Sequence, residues 1–138
     1  MTNRFVDMGI NSIKGIFWLT FGLSIVILPL NIGLGLMVLG LVILPVLILH
    51  LNVGLSLNKI QNHKGAIVCS AINLLVFALV RPDGVHAFTE SGLSSLLSII
   101  GINAGYNYKH ENYFFYSSLV LLLVQVIIDL RLRKFARR

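Results

Sequence analysis

The sequence has one cysteine, three prolines and five acidic residues in 138 positions, and charged residues make up only 12% of it. Each scarcity excludes something. A single cysteine, Cys69, forms no intrachain disulfide and no C-x-x-C pair, so the disulfide-stapled secreted scaffolds are out. No H-E-x-x-H and no Walker glycine loop occurs. A soluble domain carries about 25% charged and about 45–50% apolar residues, whereas the apolar classes here reach 57%. A globule of this size has too little interior to hide that surface from water. What the chain has instead is long uncharged runs, and these identify a membrane protein.

Gly15 to Asn58 holds no Asp, Glu, Lys or Arg over 44 residues. As one helix it would reach roughly 66 Å, about twice a hydrocarbon core. It must therefore fold back, and Pro29, Asn31 and Gly33 mark the break. Two further uncharged runs, Gly65–Val80 and Asn112–Ile128, supply two more spans, with Lys64 and Arg81 snorkelling outward from the shorter one. Ser91–Tyr108 is uncharged too, but half of its residues are Ser, Gly or Asn. Its leucines (Leu93, Leu96, Leu97) and Ile100 follow one helical face and its serines the other, which describes an amphipathic segment at an interface or re-entrant, not a span. The expected fold is an all-α membrane protein in a single domain, residues 1–138. It has four transmembrane helices at about 13–30, 32–51, 65–81 and 113–130, and a short amphipathic helix at about 91–101 in the long extracytoplasmic loop between helices 3 and 4.

Four spans put both termini on the side of the 52–64 loop, and that side then holds nine of the 11 Lys and Arg. The positive-inside rule makes it the cytoplasm of a cell inner (plasma) membrane. The first apolar run is too long for a signal-peptide core and is expected to be retained.

Helices in lipid associate through small residues and polar contacts. Gly65, Ala66, Cys69, Ser70 and Asn73 fall on one side of the third span, and Ser118, Gln125 and Asp129 on one face of the fourth. Ser70 and Gln125 both lie roughly 7–8 Å from the cytoplasmic helix ends. The two helices are therefore expected to touch, with Gln125 bonded to Ser70 or Asn73. The same residues serve as helix packing or as pore lining. Gly33 and Gly40, seven apart, allow close approach on the second span, and Pro45 kinks it near Leu41. Thr20 and Ser24 bond back to the first helix, and Trp18 anchors it at the interface. Asp129, the one carboxylate within a span, lies near its cytoplasmic end, where Arg133 can pair with it.

The remaining candidates lie at the two ends. Tyr106, Tyr108, Tyr113 and Tyr116 cluster at the outer entry to the fourth span, as half of an aromatic belt or as a recognition surface. His86, Glu90, Tyr106, Tyr108 and His110 are the extracytoplasmic recognition candidates. On the cytoplasmic side, Arg131, Arg133, Lys134, Arg137 and Arg138 form a basic tail that suits anionic lipid or an acidic soluble partner. No nucleic-acid motif accompanies that charge. The histidines read as interfacial residues in contact with water, His50 and His63 at the cytoplasmic side, with no haem, metal or other cofactor. Of these His50 stands out because it ends an apolar run. With no ionisable residue near the midplane, the expected function is non-catalytic: a homo-oligomeric sensor, scaffold or anchor coupling the outer loop to a cytoplasmic partner, as in the membrane half of a stress or defence module. An oligomeric pore or ion channel is the alternative, and a small-solute transporter or lipid flippase subunit the second.

Overall fold

A computed structural model describes residues 3–30, 34–83, 90–102 and 110–137, with side chains at 9–30, 40–82, 91–102, 110 and 112–137. The fold is helical. It comprises α1 (Asn3–Ile27), α2 (Leu34–Leu55), α3 (Lys64–Val80), α4 (Gly92–Ile99) and α5 (Glu111–Ala136). A two-residue antiparallel bridge, β1 (Pro82–Asp83) with β2 (Glu90–Ser91), closes the connection from α3 to α4. Among the described residues, three helical stretches are long and apolar enough to cross a membrane: Gly9–Leu30, Gln61–Val80 and Asn112–Ala136.

The helices outrun the apolar segments from which they are read. α1 begins ten residues before Ile13, α2 continues to Leu55, and α5 carries its basic residues as far as Ala136. Charge ends a hydrophobic span but not a helix, because Arg and Lys are good helix formers. Pro45 sits inside α2, where it removes one backbone donor.

α3 is the central strut. It packs along α1 on one side and α5 on the other, and α2 completes the bundle against α5. α1 and α2, though consecutive, share only a short contact. There the Phe17 and Trp18 rings lie against Gly54, so close that a Cβ on Gly54 would stand 2.7 Å from Phe17 Cε1. Elsewhere α1 and α2 are separated by an open apolar groove of about 360 Å³ between Ile25, Leu28, Pro29 and Gly40, Ile43, Leu44, Leu47.

Side chains are sorted inside out relative to a water-soluble bundle. Leu19, Leu41, Leu44, Val120 and Leu123 are exposed, whereas Thr20, Ser24, His50, Ser70, Ser118, Gln125 and Asp129 are buried. Apolar faces exposed in this way suit lipid, and the polar groups turn inward to find partners. Thr20 donates to the Ile16 and Phe17 carbonyls at 2.9 and 3.0 Å, and Ser24 to Thr20 at 2.8 Å, as their spacing suggests.

Three expectations are corrected by the same sorting. Cys69 is exposed, so the small-residue side of α3 does not face inward as a unit. Ideal Cβ atoms on Gly40 and Gly65 meet nothing within 4 Å, so neither is a point of close approach. Arg81 does not snorkel. It is fully buried and donates from Nη2 to the Leu28 carbonyl at 2.9 Å, tying the end of α1 to the end of α3. At α4, Ser91 and Ser94 are buried and Leu93, Ile99 and Ile100 exposed, while Ser98 is exposed and Leu96 packs against the core.

The serines of α4 can be buried because they are satisfied locally. Ser91 Oγ accepts from the Ser94 amide at 3.2 Å and Ser94 Oγ accepts from the Ser91 amide at 2.7 Å, a reciprocal capping box. Ser95 and Ser98 donate to the carbonyls of Ser91 and Ser95. The helix ends on Gly101, whose φ of +82° only glycine adopts without cost. The Gly101 amide bonds Ser98 and the Ile102 amide bonds Leu97, closing the last turn.

Candidate functional site

The buried face of α5 repeats at alternating steps of four and three: Ser118, Leu122, Gln125, Asp129, Leu132. Those steps keep one stripe of a helix inward. At its centre Gln125 and Asp129 meet Ser70 and Asn73 of α3 and His50 of α2. His50, Ser70, Gln125 and Asp129 are fully buried. One turn away in either direction on every helix the neighbours are apolar: Val46 and Val53 around His50, Ile67 and Leu74 around Ser70, Leu122 and Leu132 around the α5 pair. α1 closes the remaining side. The Phe17 ring stacks on the His50 imidazole with centroids 4.3 Å apart and planes 13° from parallel, and Phe21 lies 5.3 Å away.

The hydrogen bonds form a closed account. Asp129 accepts from Ser70 Oγ at Oδ1, and at Oδ2 it accepts from Gln125 Nε2 at 2.9 Å and faces His50 Nδ1 at 3.0 Å. Gln125 Nε2 also donates to Ser70 Oγ at 2.9 Å, which uses its second proton. Gln125 Oε1 accepts from Asn73 Nδ2 at 2.9 Å, and Asn73 also donates to the Leu121 carbonyl at 2.9 Å. Both protons of Gln125 Nε2 are then spent, so the short approaches of that nitrogen and of Ser70 Oγ to His50 Nδ1, at 3.0 and 3.2 Å, are proximity without a proton to share. His50 Nδ1 and Asp129 Oδ2, 3.0 Å apart, share one proton between them. One polar atom is left over: His50 Nε2 is buried with no hydrogen-bond partner among the described residues.

The chemistry of this arrangement differs from that of a nucleophile–base site. In a Ser–His–Asp triad the hydroxyl faces the imidazole nitrogen opposite the carboxylate. Ser70 instead donates to Asp129 itself, on the near side of the ring. The arrangement can bind helices together and can hold a proton.

Of the sequence-derived candidates, the structure brings Ser70, Asn73, Gln125 and Asp129 together, and the expected bond from Gln125 to Ser70 or Asn73 exists to both. Ser118 is buried on the same stripe but bonds back to the Phe115 carbonyl at 2.8 Å. The hydrogen-bond partner of Asp129 is His50 and not Arg133, which is exposed one turn further on. Arg131, Lys134 and Arg137 are exposed as well. His110 is exposed, with its ring 6.3 Å from Tyr113. Gly33, His86, Tyr106, Tyr108 and Arg138 lie outside the described residues, as does the Glu90 side chain.

The residue that sequence reasoning misplaced is His50. It was expected at an interface, in contact with water; it is fully buried. The end of the helix was set at Leu51, but α2 runs on to Leu55 and takes the ring more than a turn inside. His63, by contrast, is partly exposed and stacks on Phe135 with centroids 3.9 Å apart. Among the described residues no three His, Cys, Asp or Glu side chains converge on a metal-sized site.

Comparison with known proteins adds no relative: no family model, no curated protein and no solved structure matches the chain.

Proposed function

We propose that the protein is a non-catalytic four-span membrane protein of the cell inner membrane, acting as a homo-oligomeric anchor or scaffold that couples its outer segment to a cytoplasmic partner. α2 supplies the fourth span: its 22 residues reach about 33 Å, enough for a hydrocarbon core. With four spans both termini and most of the basic residues fall on one side, which the positive-inside rule makes the cytoplasm.

The observation that carries the reading is how the polar residues are used. Ser70, Asn73, Gln125 and Asp129 spend their donors and acceptors on one another across α3 and α5, between two apolar clusters. Groups that line a solute path keep bonding capacity for the solute. Coupling is served by α5, one unbroken helix of 26 residues that carries Tyr113 and Tyr116 at one end and Arg131, Arg133 and Lys134 at the other. Those exposed cations suit anionic lipid, at about 1 kcal/mol each near the surface, or an acidic protein.

Reconstitution tests the proposal. In nanodiscs the protein is expected to be an oligomer, and proteoliposomes holding it are expected to pass ions no faster than empty ones. A stable monomer overturns the scaffold reading, and ion flux replaces it with the pore. Changing Arg131, Arg133, Lys134 and Arg137 together to Gln is expected to release a co-purifying acidic protein or bound anionic lipid while leaving the oligomer intact.

A further inference from the structure

We infer that α4 is a re-entrant helix: it dips into the hydrocarbon at the Leu30 end of the bundle and presents Leu93, Ile99, Ile100 and Ile102 to lipid acyl chains. The inference rests on the membrane reading of the bundle. α3 ends at Val80 and β1 follows it. β2 pairs antiparallel to β1, Pro82 opposite Ser91 and Asp83 opposite Glu90, so the chain reverses and returns toward the bundle. There the Gly92 amide bonds the Arg81 carbonyl at 3.3 Å. A Cβ on Gly92 would meet the Ala78 carbonyl, two residues inside the end of α3. α4 therefore starts level with the ends of two membrane-length stretches, packed on α3 and on the Leu28–Leu30 turn that closes the first of them. Leu96, one turn further along, packs against the core cluster that holds Ile27, Leu28, Phe77 and Ala78.

What α4 exposes and what it satisfies internally both fit hydrocarbon. A helix lying at an interface turns a strongly charged or polar face to water. α4 has no charged face, because Ser91–Tyr108 contains no charged residue. Its tip is apolar and bare instead, with Ile99 66%, Ile100 68% and Ile102 50% exposed. Hydrocarbon admits a polar group only when that group is bonded within the protein. The hydroxyls of α4 meet this demand. Ser94 and Ser95 donate to the Ser91 carbonyl at 2.9 and 3.1 Å, and Ser98, though exposed, donates to the Ser95 carbonyl at 2.7 Å. At the tip the amides of Gly101 and Ile102 close onto the Ser98 and Leu97 carbonyls. The isoleucines also continue a surface of the same kind: the turn on which α4 packs exposes Leu30, and α1 exposes Val26 one turn earlier. Acyl chains that cover those residues reach the α4 tip as well. α4 then adds lipid contact to the bundle and leaves the water-facing outer segment shorter.

Quenching of a fluorescent label at single positions tests this on the full chain in nanodiscs. Cys69, the only cysteine, is first removed as Cys69→Ala. Nitrobenzoxadiazole is then attached, in separate chains, to Ile100→Cys, Ile102→Cys, Leu19→Cys and Arg137→Cys. All four native side chains are exposed, so the label displaces no core packing. Iodide quenches from water, and doxyl groups on the acyl chains quench from hydrocarbon. The labels at positions 100 and 102 are expected to lose emission to doxyl lipid as the label at position 19 does, inside the first membrane-length stretch. They are expected to be shielded from iodide, which quenches the label at position 137. Iodide quenching at positions 100 and 102, with doxyl quenching at position 19, overturns the inference and keeps the membrane reading. Iodide quenching at position 19 overturns the membrane reading itself. Shielding of positions 100 and 102 from both quenchers shows that protein, such as a second copy, covers the tip, and overturns the inference too.

Discussion

Replacing Asp129 by alanine is expected to destabilise the bundle by about 3 kcal/mol, more than any other single polar truncation in the spans. The carboxylate is the common acceptor of three donors, Ser70 Oγ, Gln125 Nε2 and His50 Nδ1, each from a fully buried side chain. Removing it takes their common acceptor from all three at once, and lipid offers no substitute. Single hydrogen bonds between membrane helices are worth about 0.6–2 kcal/mol, so three lost together bracket the expected value. Asp129→Asn keeps the shape and one acceptor oxygen but adds donors where donors already crowd, and is expected to cost less than the alanine. Reversible unfolding in mixed micelles measures both. A loss below about 1 kcal/mol for Asp129→Ala would show that the network is incidental to the bundle.

The second large effect is local. Gly92 opens α4 against the end of α3, and a Cβ added there would lie 2.0 Å from the Ala78 carbonyl oxygen and 3.0 Å from Ile27 Cγ2. The first obstacle is backbone held in a helix, so it cannot turn aside as a side chain would. Gly92→Ala is expected to lift the first turn of α4 off α3 at a cost of about 1–3 kcal/mol. Its own capping box stays intact, since Ser91 and Ser94 satisfy one another. Amide exchange should therefore rise across Gly92–Ile99 and hardly at all in α5. Gly22, with nothing within 4 Å of an added Cβ, is the control. Gly22→Ala is expected to be neutral or to gain up to about 1 kcal/mol from helix propensity. Equal exchange profiles for the two variants would contradict the close approach at Gly92.

The parts of this fold that charge decides were legible in the sequence. The long uncharged runs placed the apolar helices, and the polar spacing on the last span, Ser118, Gln125 and Asp129, identified its buried stripe and the bond from Gln125 to α3. What charge does not decide was misread. Periodicity shows that α4 has two unlike faces but not which residues turn inward, and here Ser91 and Ser94 can because they bond one another. Close approach at a glycine depends on what the opposing helix brings. Gly40 looked suited and meets nothing, while Gly54 receives the Phe17 and Trp18 rings from α1. Arg81 looked suited to snorkelling, yet a carbonyl freed at the end of α1 draws it inside. His50 was misplaced for a related reason, because its burial follows from where α2 stops, four residues beyond Leu51.

A buried bond between His50 and Asp129 joins α2 to α5 at the centre of the bundle. A double-mutant cycle with His50→Ala, Asp129→Ala and the double variant, unfolded in mixed micelles, tests it most directly. The expected result is a coupling free energy of about 1–3 kcal/mol, the double variant being less destabilised than the two single losses combined. Additivity to within about 0.5 kcal/mol would contradict it.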